Sequence, residues 1–356
     1  MKTNHNNYLN LAFNLARINL GKTKSNPSVG CVIVKKDSVI SSGHTSTDGR
    51  PHAEYNALNK KINFSGSSLY VTMEPCSHYG FTPPCTNIIN SKKIKKVFFS
   101  FYDVDNRSAK KSKIILKKKN INVIKKNNNT YDNFYQSFFI NKLKNLPLVD
   151  AKIAISKDFY TINRKKKWIT NSLSRQRVHL IRSEYDSIIS TSKSINKDNS
   201  LLNCRLNGFN TNKPDLIIID LNLKIKTNLD LFDLSRKRKI LIITRFSKSK
   251  KISLLKAKGV KFIKIDSLNS NNDFVFLLKI LKKKGFNRIL VESGLKFLNV
   301  VLKNRIISNL YVFKSSIKLG NNGLNNTSIN FIKKFKKLER IKVNLGGDQM
   351  YKVKIQ

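Results

Sequence analysis

The stretch P-H-A-E at 51–54, followed by E-P-C-S-H-Y-G-F-T-P-P-C at 74–85, constrains this chain more than any other feature. It offers one imidazole, His52, and two thiols, Cys76 and Cys85, to a single metal ion. Three such ligands suit tetrahedral Zn2+ and leave the fourth position open, which a hydrolytic centre needs and a structural one does not. Glu54 stands two residues after the imidazole. A carboxylate placed there without ligating can move protons between activated water and a substrate, so Glu54 is the candidate catalytic acid and base. Residues 67–73 (S-S-L-Y-V-T-M) read as a strand, and the P-C that follows reads as the opening of a helix, whose positive dipole end favours thiolate over thiol.

Either half of this pattern alone is an ordinary turn or helix start; it is their conjunction, each after an apolar run, that points to hydrolytic deamination. The cysteine spacing narrows the substrate. Deaminases of nucleic-acid bases carry two residues between these cysteines, whereas S-H-Y-G-F-T-P-P separates Cys76 from Cys85 here. That insert, with S-N-P-S-V-G-C-V-I-V at 25–34 and P-H-A-E, closely resembles the bifunctional riboflavin biosynthesis family, in which a pyrimidine deaminase is fused to a pyrimidine reductase. The resemblance is strong over 8–105 and thinner over 147–325.

The resemblance implies an α/β chain: an N-terminal cytidine-deaminase-like three-layer α/β/α domain and a C-terminal dihydrofolate-reductase-like α/β domain. It implies one Zn2+ per chain, NADPH, a small phosphorylated pyrimidine as substrate, and a homo-oligomer, dimer or tetramer. Length agrees with two domains, since 356 residues exceed the size at which one core keeps growing. The expected division is 1–145 and 146–356. A polar tract at 127–129 and an aromatic connector, Y-D-N-F-Y-Q-S-F-F, precede Pro147 and a new strand-like run, D-A-K-I-A-I.

In the first half, Tyr8, Leu11, Ala12 and Leu15 fall at helical spacing, 29–34 is a buried-strand run, and Ala53, Ala57 and Leu58 suit a helix behind His52. Further strand-like runs lie at 97–101 and 121–124. Family substrate contacts match Asn26, His78 and Asp103. Three positions depart from the family pattern: Phe81 stands where a basic residue is usual, Thr45 replaces a His (with His44 adjacent), and Asp105 replaces an Asn.

The second half carries no G-x-G-x-x-G loop, as the reductase resemblance implies. Its matching pieces are A-K-I-A-I-S-K-D at 151–158, W-I-T at 168–170, Arg175, His179 and Arg182 on one helix, S-I-N-K-D-N-S-L-L-N-C-R at 194–205, and V-E-S-G at 291–294. By this resemblance Ala154, Trp168, Ser194, Asp198 and Gly294 border the nicotinamide cofactor, and Arg182, Leu202, Arg205 and Glu292 hold the sugar-phosphate substrate. Arginine suits a phosphate through its fixed fork of donors, and a glycine after a strand lets cofactor phosphates approach a helix N-terminus. Phe159, Lys166 and Leu221 stand where the family has glycine, a small polar residue and a hydroxyl.

Lys and Arg number 69 against 21 acids, a net charge of +48, which invites a nucleic-acid reading. The basic runs, at 117–119, 164–167, 282–284 and 333–337, are scattered over both halves instead of forming one face, so solvated surface is the expected meaning and no specific nucleic-acid partner. Of four cysteines, two are assigned to metal and Cys31 and Cys204 lie in different halves, so no disulfide framework is expected. No apolar run approaches the roughly 18–20 residues of a membrane span, so a cytoplasmic protein without membrane association is expected. Two alternatives stay open: a deaminase whose reductase half is impaired, and a nucleic-acid base deaminase.

Overall fold

The computed structural model describes residues 4–127, 131, 133–209, 213–330 and 339–355. The chain divides into two compact units, Met1–Asn145 and Leu146–Gln356. Asn128, Asn129 and the basic run at 333–337 lie outside the described residues. Among the described residues, no helix is long and apolar enough to cross a membrane.

The first unit runs α1 (His5–Arg17), β1 (Gly30–Lys35), β2 (Ser38–His44), α2 (Ala53–Leu58), β3 (Ser68–Met73), α3 (Cys85–Ser91), β4 (Lys96–Phe101), α4 (Lys111–Lys117), β5 (Asn122–Lys125) and α5 (Gln136–Lys144). Its five strands are ordered β2-β1-β3-β4-β5, with β1 antiparallel to both neighbours and β3, β4 and β5 parallel. The strands are apolar on both faces because both are covered. Val32, Val34, Tyr70 and Phe98 meet Leu9 and Ala12 of α1 on one side, while Cys31, Ile33, Val71 and Phe99 pack with Ala53, Ala57, Ile89 and Leu116 on the other.

Two glycines set the layer spacing that positions the motif. A Cβ on Gly30 would sit 1.8 Å from the Ala12 carbonyl oxygen, and one on Gly43 would sit 2.5 Å from the Ala57 nitrogen. Any side chain at either position would push a helix off the sheet, and α2 is the helix that carries Glu54. The face of α1 differs from expectation: Leu9, Ala12, Phe13 and Ala16 are buried, and Leu11 is 39% exposed. Apolar residues surround most of this helix, so periodicity alone did not select the face; the close approach at Gly30 did. The aromatic stretch after 130 is core and not connector, since Tyr135 is buried and its hydroxyl bonds Thr72 Oγ1 at 2.6 Å and Ser28 O at 3.1 Å.

The second unit runs β6 (Leu148–Ile155), β7 (Ile162–Asn163), α6 (Ser172–Arg182), β8 (Ser187–Thr191), α7 (Ser192–Asp198), β9 (Asp215–Ile219), β10 (Ile240–Thr244), α8 (Lys250–Ala257), β11 (Lys261–Lys264), α9 (Asn271–Lys283), β12 (Arg288–Glu292), α10 (Leu295–Lys303), β13 (Asn309–Lys314), β14 (Gly323–Leu324), β15 (Glu339–Ile341) and β16 (Gln349–Lys354). Among the described residues, nine strands form one sheet, β11-β10-β9-β8-β12-β6-β13-β16-β15. It is parallel from β11 to β13 and closes with the antiparallel pair β16 and β15. The apolar runs within β9 and β10 (L-I-I-I and I-L-I-I) are the signature of parallel strands buried on both faces. Crossover helices place the loops after β6, β8 and β12 at the carboxyl edge of the sheet, where ligands bind in folds of this kind.

The turn after β6 keeps a glycine-type conformation without glycine, with Phe159 at φ 69°. Its neighbours hold it there. Asp158 accepts from Ser156 Oγ at 2.6 Å and from the Leu319 and Gly320 amides, Asn325 Nδ2 donates to the Phe159 carbonyl at 2.9 Å, and Lys314 Nζ lies 4.4 Å above the ring.

Candidate zinc centre and reductase pocket

His52 is the N-cap of α2 and Glu54 lies in its first turn, fully buried; Cys85 opens α3. Cys76 lies in the loop between β3 and α3, so the P-C at 75–76 does not begin a helix as the sequence suggested. Pro83 and Pro84 delay the helix to Cys85, which fits proline's preference for the position just before and at a helix start. The dipole argument survives in altered form, because the Cys85 amide at the start of α3 donates to Cys76 Sγ at 3.2 Å.

His52 Nδ1 lies 3.6 Å from Cys76 Sγ and 3.4 Å from Cys85 Sγ, and the three donor atoms lie within 4.8 Å of one another. A tetrahedral zinc with N and S bonds of about 2.0–2.1 and 2.3 Å spaces those donors about 3.5 Å apart. The donor set and its spacing therefore fit zinc. Two hydrogen bonds from Cys85, by its thiol and its amide, together with one from His52, lower the Cys76 thiol to about 4. The Cys85 thiol is pushed up by that same shared bond and by burial. The thiolate beside it raises His52. Burial, and then the charge of Cys76, push the Glu54 carboxyl up to about 7.

His52, Glu54 and Cys76 open into a cavity of about 90 Å3 lined also by Asn26, Thr45, Arg50, Glu74, His78, Asp103, Asp105, Arg107, Phe138 and Lys142. Asn26 is fixed by donating to Gly49 O at 2.8 Å, and His78 Nδ1 lies 2.7 Å from Ser108 Oγ. Asp103 caps the amide of Asp105 at 2.9 Å, and burial raises its carboxyl. Thr45 lines the cavity, whereas His44 does not. Several lining residues were not singled out from the sequence. Glu74, which follows β3 directly, accepts from Ser112 Oγ at 2.8 Å and from the amides of Lys110, Ser112 and Asp103, tying down the loop that carries Asp103. The E of E-P-C was visible in the motif, but its partners lie some distance along the chain. Phe138 and Lys142 arrive on α5, and nothing in their local sequence marks them.

A family model described as the cytidine and deoxycytidylate deaminase zinc-binding region matches residues 2–101, and one described as the RibD C-terminal domain matches 147–349. The riboflavin biosynthesis protein RibD of Aquifex aeolicus is 30% identical over 96% of each chain. The chain belongs to the RibD family. RibD of Buchnera aphidicola is likewise 30% identical, covering 88% of this chain and 87% of its own. A solved Acinetobacter baumannii RibD superposes with a TM-score of 0.81 at 26% identity over 98% of each chain. A Thermotoga maritima structure titled as a diaminohydroxyphosphoribosylaminopyrimidine deaminase and 5-amino-6-(5-phosphoribosylamino)uracil reductase shares the fold, with a TM-score of 0.82 at 24% identity.

In the RibD C-terminal domain, the residues matched by resemblance fall into connected groups. Glu292, ending β12, takes Arg182 Nε at 2.6 Å and Nη2 at 3.0 Å, the carboxylate buried and the guanidinium largely so. Arg182 Nη1 also donates to Asn203 O, and Arg205 Nη1 donates to Asn203 Oδ1 at 2.6 Å. Burial, then the charges of Arg182 and Arg205, lower His179 to about 4. Two residues past Glu292, the Gly294 amide donates to Ser194 Oγ at 3.2 Å at the head of α10. A Cβ on Gly294 would meet only Ser194 Oγ, at 3.7 Å, so the chain's own packing does not demand a glycine there and the space it leaves suits a cofactor.

Trp168 is 55% exposed, with Arg175 and Lys167 over its ring, and Lys167 reaches the Asp198 carbonyl. Asp198 is exposed at the end of α7, and Ala154 is half-buried on β6. Leu202 is buried in the apolar core with φ 51°, and its carbonyl is taken by Arg238. The lysine-substituted position, Lys166, is exposed, and Leu221 packs against the core under β9 and β10.

Proposed function

We propose that this RibD-family chain removes the amino group of 2,5-diamino-6-(5-phosphoribosylamino)pyrimidin-4-one in its first unit. In its second it then reduces the ribosyl group of the resulting uracil to ribityl with NADPH. The observation that carries the reading is the spacing of His52, Cys76 and Cys85 with a buried, non-ligating carboxylate beside them. Zinc held by those three would supply a hydrolytic nucleophile at neutral pH. Glu54 then has the remaining work. A carboxyl raised toward neutrality by burial can take a proton and return it, first to the ring nitrogen and later to the departing amine, so that ammonia leaves. Asn26, His78 and Asp103 are candidates to hold the pyrimidine, each already oriented by a hydrogen bond of its own.

In the second unit, NADPH would supply hydride. Glu292 pins Arg182, and Asn203 links it to Arg205, so the two guanidiniums form a fixed pair suited to the substrate phosphate. Ser194 and Gly294 form the corner where the cofactor would approach the chain. His179, kept neutral, adds no charge to the phosphate pocket. The carbonyl of Leu202 anchors Arg238, which gives this residue a supporting role.

The test is incubation with the diaminopyrimidinone phosphate, with and without NADPH, following ammonia and NADPH oxidation separately. Both signals are expected, with NADPH oxidation only after ammonia release. Ammonia without oxidation would leave the deaminase and remove the reductase assignment; neither signal would remove both.

A further inference from the structure

Arg50 is the cation in the zinc cavity that has no acid to answer. Arg107 binds Asp105 through Nε at 2.9 Å and Nη2 at 2.6 Å, and Lys142 reaches the same carboxylate at 3.4 Å. Arg50 makes no ion pair among the described residues, and its Nε is buried without a hydrogen-bond partner. A buried donor left unmet costs about 1–3 kcal/mol, so such a group persists where a ligand supplies the acceptor. The guanidinium carbon of Arg50 lies 4.8 Å from the centroid of the Phe81 ring, a cation–π contact, and Phe81 is 91% exposed. The ring contact restrains a guanidinium that lines the cavity, and a guanidinium is the group whose fork of donors recognises a phosphate through paired hydrogen bonds.

We infer that Arg50, oriented on Phe81, binds the phosphate of the deaminase substrate at the mouth of the zinc cavity and sets the preference for a phosphorylated over an unphosphorylated pyrimidine riboside. The inference deepens the deaminase reading and rests on it for the identity of the ligand. Arg50 is then a specificity residue that touches substrate away from the reacting atoms, and Phe81 is its positioning residue.

The experiment compares wild type, Arg50→Ala, Arg50→Lys, Phe81→Ala and the double variant Arg50→Ala/Phe81→Lys, each with its zinc content measured to show that the centre is intact. The ratio of kcat/KM for the phosphorylated substrate to that for its unphosphorylated riboside is expected to fall about 10- to 100-fold in Arg50→Ala, mostly through KM. Arg50→Lys should fall between, because it keeps charge and loses the fork. Phe81→Ala should lose about two- to fivefold, and the double variant should regain part of the ratio by returning a cation to the cavity. Ribose 5-phosphate binding, measured by calorimetry on the zinc-loaded full chain carrying Arg205→Ala in every sample to weaken the phosphate pair of the second unit, should weaken in parallel. An unchanged ratio in Arg50→Ala overturns the inference. If wild type releases no ammonia from either compound, the deaminase reading fails by itself; ribose 5-phosphate binding then decides, and equal affinity in wild type and Arg50→Ala overturns the role of Arg50.

Discussion

The amide of Cys85 donates to Cys76 Sγ at 3.2 Å, so the helix that supplies one candidate metal ligand also steadies the other. Replacing Cys85 with Ser should leave this amide in place and remove a thiolate. Zinc content is expected to drop well below one ion per chain and ammonia release to fall by at least about a thousandfold. Metal analysis beside the ammonia assay checks both. Full zinc occupancy in this variant would show that Cys85 is not a ligand.

Glu54→Gln separates proton transfer from metal binding. The amide is nearly isosteric, so zinc should remain while turnover drops by about 10^2- to 10^4-fold, the usual worth of a general acid–base group. Unchanged turnover would take the proton-carrying role away from Glu54.

Glu292→Gln leaves the Arg182 guanidinium buried against a neutral partner. Breaking a buried pair from one side costs about 3 kcal/mol or more, so the urea midpoint of the second unit should shift down visibly and NADPH oxidation should fall. Ammonia release, which belongs to the other unit, should continue.

His179 should make stability depend on pH. Its folded value, about 4, lies below that of a free imidazole, about 6.5. Between those values the unfolded chain binds a proton that the folded chain refuses, so stability is full above about 6.5 and declines as pH falls toward 4. Denaturation midpoints of wild type and His179→Gln, measured at pH 7.5 and 5, should show the wild type losing more on acidification. Parallel losses in both would locate the dependence elsewhere.

Phe159 tests a balance. Glycine at this position relieves the left-handed backbone, worth about 1 kcal/mol, but removes a half-buried ring that packs on the core and under Lys314, worth about the same. Phe159→Gly should therefore change stability by less than about 1 kcal/mol. Phe159→Val, branched at Cβ and smaller, should lose more than that. Chemical denaturation of the two variants distinguishes them.

The candidate zinc ligands stood out because coordination chemistry forces rare residue types into a short pattern, and the central strands because two-sided burial writes long apolar runs. Other features were not. Strand β2, S-V-I-S-S-G-H, reads as polar because its edge position leaves half of it at the surface. The packing face of α1 depended on Gly30, a residue outside the helix, and the helix start near Cys76 depended on two prolines that displaced it to Cys85. Arg50 and Phe81 are ordinary surface residues in sequence, and only the fold lays one over the other. Glu74 was in plain view within E-P-C, yet its work as the anchor of the Asp103 loop is defined by partners 29–38 positions away.

That anchor has a bearing on how such a basic chain can vary. Glu74, Asp158 and Asp348 are each engaged by loop amides or hydroxyls, Asp348 taking the Asn171 and Ser316 amides and the Ser174 hydroxyl. With 21 acids in all, a drift that exchanges acid for lysine soon reaches positions where the new ammonium would face donors with no acceptor left among them. The tolerance of this lineage for positive charge is therefore bounded by its loops and not by its surface.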